Sequence, residues 1–194
     1  MVPGLVGFLL QILIPMITAN AIVREKERGN IEQLLVTPIK PYELMVGKMI
    51  PYIVIGIIIA LTIIANAYFL FHIPIRGNSW ALFVTTLIFI VVCLGIGLLA
   101  STVAENQQQA SQVVMFFMPP SILLSGFIFP RETMPLAVYY LGYFIPLTYF
   151  VKIVRGIILK GLGFVQLWDQ ILPLTLMAGI ILWLSIKRFH KRLN

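Results

Sequence analysis

No aspartate, glutamate, lysine or arginine interrupts the chain between Lys48 and Arg76, between Arg76 and Glu105, or between Glu105 and Arg131. Each interval exceeds the roughly 18 mostly apolar residues that carry an α-helix across about 30 Å of hydrocarbon. Helix is the form such stretches take in lipid, because it satisfies its own backbone hydrogen bonds where no water is present. The composition agrees: 60% of residues are hydrophobic and 11% charged, against about 45–50% and 25% in a soluble domain. A water-soluble fold has too little polar surface to cover such a chain, so the fold class is all-α integral membrane.

Five transmembrane helices are expected, at about 2–23, 46–71, 80–103, 110–129 and 167–186, in one transmembrane domain over 1–194. The net charge of +7, from 14 basic and 7 acidic residues, would suit nucleic acid if the cations lined a polar domain. They flank apolar spans instead, so they report membrane orientation and no nucleic-acid partner is expected. Arg24, Lys26, Arg28, Lys40 and Lys48 mark the first loop as cytoplasmic, and the tail Lys187-Arg188-Phe189-His190-Lys191-Arg192 places the C-terminus on the same side. Four of the five spans lie between these clusters, and the remaining one, 2–23, precedes them and puts the first residues outside. A start outside with no preceding span suggests that Met1 is internal to a longer protein, and the opening segment lacks the basic region and cleavage site of a signal peptide.

Within the spans, Pro15 is a tolerated kink, and Gly95, Gly97, Ala100 and Ser101 are small enough to let another helix approach. Pro119-Pro120 removes two backbone donors and predicts a bent or broken fourth span, either a functional hinge or a kink that suits packing. Residues 130–162 are apolar and aromatic but interrupted by Gly142 and Pro146. They are expected to form an outer re-entrant or interfacial helical hairpin, with tyrosines at headgroup depth.

Catalytic chemistry finds little support. Ser125, His72 and His190 are candidates for a nucleophile and base, but no carboxylate is placed to orient a histidine, and His190 falls on the other side. No catalytic residue is assigned. Cys93 lies alone in an apolar run, giving neither a disulfide nor a metal-ligand spacing. There is no phosphate-binding loop of the Gly-x-x-x-x-Gly-Lys-[Ser/Thr] type, so ATP, if it drives the protein, binds a partner. Nor do the spans carry the ionisable residues of a proton-coupled transporter.

The most informative segment is 24–42. Arg24, Glu25, Lys26, Glu27, Arg28 and Glu32 alternate in sign, Gly29 and Asn30 break and cap, and Ile31, Leu34 and Leu35 share one helical face before Thr37 and Pro38. The segment predicts a short helix parallel to the membrane. It either rests on the inner leaflet or docks into a protein groove, which its balanced charges suit better.

Glu25-Lys26-Glu27-Arg28-Gly29-Asn30-Ile31-Glu32-Gln33-Leu34 followed by Thr37-Pro38 resembles a stretch found in the membrane domains of type-2 ATP-binding-cassette (ABC) exporters. Leu124-Ser125-Gly126-Phe127-Ile128-Phe129-Pro130, Met134-Pro135, and Pro146-Leu147-Thr148-Tyr149-Phe150 before Arg155-Gly156 extend the resemblance over most of the chain. Asn30 stands where threonine is frequent and Lys152 where an acidic residue is familiar. Members usually have six spans and often a large external domain, so the resemblance implies the C-terminal part of such a permease.

The resemblance further implies a multi-pass protein of the cell (inner or plasma) membrane and a second permease subunit, as homodimer or heterodimer. It also implies a cytoplasmic ABC ATPase subunit that carries ATP and Mg. Arg24, Glu25, Glu27, Arg28, Gly29, Ile31, Glu32, Leu34, Leu35, Thr37 and Pro38 would couple to that ATPase. Pro119, Pro120, Ser125, Gly126, Pro130 and Pro146 would act as hinge or gate. The expected cargo is a drug-like or other hydrophobic compound. A polysaccharide or lipid-linked glycan is the alternative within transport, and an intramembrane hydrolase using Ser125 or a membrane assembly factor the alternatives outside it.

Overall fold

The computed structural model describes residues 2–28, 41–69, 72 and 77–191. Among these, every regular element is helical. The α-helices are α1 (Val2–Glu27), α2 (Pro41–Phe69), α3 (Ser79–Val103), α4 (Gln107–Leu124), α5 (Leu136–Leu141), α6 (Pro146–Lys160) and α7 (Trp168–Lys191). Short 3-10 turns at Arg131–Thr133, Gly142–Phe144 and Val165–Leu167 join the later ones.

Four stretches are long and apolar enough to cross a membrane: Pro3–Glu27, Met49–Phe69, Ser79–Val103 and Val165–Arg188. They match four of the five expected spans. The fourth expected span, 110–129, is α4. It ends at Leu124 rather than at Phe129, opens on Gln107-Gln108-Gln109, and is too polar over its 18 residues to count by the same measure. Its helical backbone runs through Pro119 and Pro120 without a break.

The segment expected as a hairpin is a pair of helices, Leu136–Phe144 and Pro146–Lys160, bent by 87° at Ile145. Pro146 sits at the first helical position of α6, where its missing N–H costs nothing. At the other end Gly161 takes a left-handed conformation, φ 67°. Its N–H donates to Ile157 O and that of Leu162 to Gly156 O, closing the helix as a side chain with a Cβ would not readily allow.

α3 is the central helix, touching α1, α2, α4, α6 and α7. Its small residues make this possible. A Cβ on Gly95 would lie 2.5 Å from Ile181 Cγ2 of α7, and one on Gly97 would lie 2.8 Å from Pro15 O of α1. The two glycines therefore seat different helices on different faces of α3. Its buried hydroxyls do not disturb this packing, because Thr85, Thr86 and Ser101 donate to carbonyls three or four residues back. α2 and α7 are peripheral and turn most of their apolar surface outward.

Packing of α6 onto the core centres on Phe89 of α3 and Phe150 of α6. Both rings are fully buried and stacked with centroids 4.1 Å apart and planes 5° from parallel. Across the α3–α7 contact, Ser185 Oγ lies 3.0 Å from Gly95 O and 2.7 Å from its own helix's Ile181 O. Interhelical hydrogen bonds of this kind contribute about 0.6 kcal/mol in a bilayer. Ser185→Ala is expected to lower stability by about that amount, read as a small shift in the midpoint of a detergent unfolding titration.

Candidate functional site

The sequence-predicted site residues that are among the described ones fall in two places, at opposite ends of α1. At the Glu27 end, α1 stays helical through the first charged residues of the 24–42 segment, carrying Arg24, Glu25 and Glu27, with Arg28 in the turn that follows. Gly29, Ile31, Glu32, Leu34, Leu35, Thr37 and Pro38 lie outside the described residues, as does the short helix expected there.

What sequence reasoning did not anticipate is where Glu27 goes. Its carboxylate accepts from Gln107 N at 3.1 Å and from Gln107 Nε2 at 2.7 Å, at the first residue of α4. A carboxylate there satisfies an orphan N–H and opposes the positive end of the helix dipole. Beside it, Lys26 Nζ donates to Ala104 O at 3.3 Å, and Asn106 caps α4 by accepting from Gln109 N. The end of α1 is thus tied to the turn between α3 and α4. Two turns earlier on α1, the Asn20 amide donates to Ser111 Oγ at 3.0 Å, a further tie between α1 and α4.

At the opposite end, near Gly4, the turn after α4 brings together Ser125, Gly126 and Pro130. Ser125 is buried; its hydroxyl donates to Ile122 O and accepts from Phe127 N, which makes it a turn residue. Gly126 has φ 79°, the left-handed region that favours glycine. Pro130 leads into the 3-10 turn at Arg131–Thr133. Pro119 and Pro120 stay on the exposed surface of α4, one to two turns away, and Pro146 starts α6. The expected gate residues therefore form one cluster at the 125–130 turn, with the three remaining prolines on the neighbouring helices.

Two arginines organise this turn. Arg155 of α6 donates from Nη1 to Gly126 O at 3.2 Å and from Nη2 to Phe127 O at 3.0 Å, stapling the turn to α6. Arg131 is 4% exposed and lies over the rings of Tyr139 and Tyr143, 4.4 and 4.5 Å from their centroids, while its Nη2 donates to Tyr139 O at 2.6 Å. Glycines clear its path: a Cβ on Gly126 would lie 2.9 Å from its Cγ, and one on Gly142 would lie 3.2 Å from its Nη2. In the sequence both arginines only flank the apolar stretch 136–154, which marks its ends and gives no sign of their partners.

Between the 125–130 turn and α6 lies a cleft of about 240 Å³, lined in part by Ser125, Arg131, Glu132, Lys152 and Arg155. No group of three or more His, Cys, Asp or Glu able to hold a metal ion is present among the described residues.

Comparison with known proteins agrees with this architecture. Residues 1–159 match the ABC-2 type transporter family. The chain is similar to the probable multidrug ABC transporter permease YbhS of Escherichia coli (strain K12), with 36% identity over 192 residues, covering 96% of this chain and 51% of that protein. It is also similar to the probable multidrug ABC transporter permease YbhR of the same organism, 32% identical over 178 residues, 92% of this chain and 48% of that protein. A more distant likeness is to ABC transporter G family member 20 of Dictyostelium discoideum, 21% identical over 178 residues, 91% of this chain and 24% of that protein. The chain thus spans about half the length of the two bacterial relatives. With the helical bundle, the apolar spans and a family match over most of its residues, the chain belongs to the ABC-2 type transporter family.

Proposed function

We propose that this chain is the permease part of an ATP-driven exporter, in which segment 24–42 couples the membrane helices to a separate cytoplasmic ABC ATPase. A second permease subunit, identical or related, completes the pathway. ATP and Mg reside on the partner. The end of α1 faces the cytoplasm and the 125–130 turn faces outside. The relatives named as multidrug permeases favour a drug-like or other hydrophobic cargo.

The observation that carries the reading is the tie between Glu27, Lys26 and the α3–α4 turn. Any displacement of the segment beyond Arg28 acts through these bonds on α1 and α4 together. A single docking element then moves two helices as a packed unit, the kind of rigid-body shift by which membrane subunits change state.

Two variants separate docking from transmission. Leu34→Glu with Leu35→Glu is expected to abolish co-purification of a co-expressed ABC ATPase, with the melting temperature of the permease unchanged. Glu27→Ala is expected to retain the ATPase but to lower substrate-stimulated ATP hydrolysis and export several-fold. The exposed tie itself contributes only about 1 kcal/mol to stability. ATPase retained by the double variant at wild-type level would defeat the coupling assignment.

A further inference from the structure

We propose that the cleft between the 125–130 turn and α6 binds a phosphate-bearing headgroup. Three cations line it, Arg131, Lys152 and Arg155, against one carboxylate, Glu132. The volume of about 240 Å³ far exceeds the roughly 30 Å³ that one water occupies in the liquid.

Arg131 supplies the strongest argument. Its Nε and Nη1 are buried and have no hydrogen-bond partner, an arrangement that leaves a desolvated cation short of acceptors. The two tyrosine rings and Tyr139 O answer only part of that need. Both nitrogens are closed off from water as the cleft stands, so an anion there meets them by drawing the guanidinium of Arg131, which lines the cleft, toward it. Arg155 has two bonds to backbone carbonyls and still keeps further guanidinium protons. Lys152 lies three residues earlier on α6, on the same helical face, and is exposed at the mouth.

Donors arriving from two elements, the 3-10 turn and α6, suit the tetrahedral spread of phosphate oxygens better than the single plane of a carboxylate. Leu123, Ile128 and Phe129, large apolar side chains around the same turn, are exposed. They offer a surface for the acyl chain of a phospholipid whose headgroup enters the cleft. The same chemistry admits free inorganic phosphate, which has no use for that apolar surface. This inference does not rest on the pairing with an ATPase.

The test is retention of phosphatidylglycerol by the purified, delipidated chain, read by native mass spectrometry, beside diacylglycerol as the lipid without phosphate and inorganic phosphate as the free anion. Lys152→Glu, at an exposed position, is expected to weaken phosphatidylglycerol retention roughly tenfold, as loss of a charge-assisted contact does. Lys160→Glu, on α6 but outside the cleft, is expected to leave it unchanged. Arg131→Lys keeps the charge without the fork and is expected to weaken it as well, with the melting temperature reporting whether the fold survives. Displacement of the lipid by inorganic phosphate would support phosphate recognition and identify the free anion as a second source. Equal retention in Lys152→Glu and Lys160→Glu, or diacylglycerol held as well as phosphatidylglycerol, would overturn the proposal.

Discussion

Gly97→Leu is expected to be among the most destabilising single substitutions in the bundle, lowering the unfolding free energy by about 3 kcal/mol, the upper end of what overpacking commonly costs. A Cβ at Gly97 would meet Pro15 O at 2.8 Å, Thr18 Cβ at 2.9 Å and Pro15 Cα at 3.0 Å. Two of these atoms are backbone and none is the far end of a flexible side chain, so α1 and α3 must separate. The control is Gly179→Leu on α7, where an added Cβ meets nothing within 4 Å. It is expected to stay within about 0.5 kcal/mol of wild type. Parallel unfolding titrations in mixed detergent micelles check both; equal midpoints for the two variants would mean that the close α1–α3 contact does not carry stability.

Phe150→Ala is expected to cost about 3 kcal/mol, the low end of the range for truncating a buried aromatic. The low end applies because a helix separated in a bilayer meets lipid tails, so the loss is packing and cavity rather than transfer to water. Phe150 stacks on Phe89 of α3, and its Cδ1 would stand 2.7 Å from a Cβ on Gly7 of α1. Three helices therefore meet on one ring. Phe150→Leu, which refills part of the space, is expected to recover most of the loss in the same unfolding titration. A wild-type midpoint for Phe150→Ala would mean that the stacked pair does not hold α6 to the bundle.

Much of this architecture was legible because a bilayer restricts a chain to few solutions. Long uncharged intervals, read only against hydrocarbon thickness, placed four helices that the structure also has. Gly95 and Gly97 signalled close approach by size alone, although which helix meets which face depends on packing that no single interval encodes. α4 was harder, since its glutamine-rich start and paired prolines dilute the apolar signal that marked the others. The bend at Ile145 was foreshadowed by Gly142 and Pro146, but its 87° angle was not.

In the site, the turn residues Ser125 and Gly126 were legible as a motif, whereas the roles of Arg131 and Arg155 were not. Their partners are backbone carbonyls and ring faces, which have no residue code of their own. Glu27 looked like one of a run of alternating charges on a docking segment. Its bond to Gln107, 80 residues away, emerges only when α1 and α4 lie side by side.

The contact of Gly97 with Pro15 also has a mechanical meaning. It lies close to the middle of α1, about 18 Å along the axis from Glu27 and about 16 Å from Gly4. A helix rocked on that point is a see-saw with nearly equal arms: sideways travel at Glu27 arrives at Gly4 reversed in direction and almost undiminished. Gly4 rests against the ring of Phe127 and near Arg155, so the turn that Arg155 holds lies where the far arm ends.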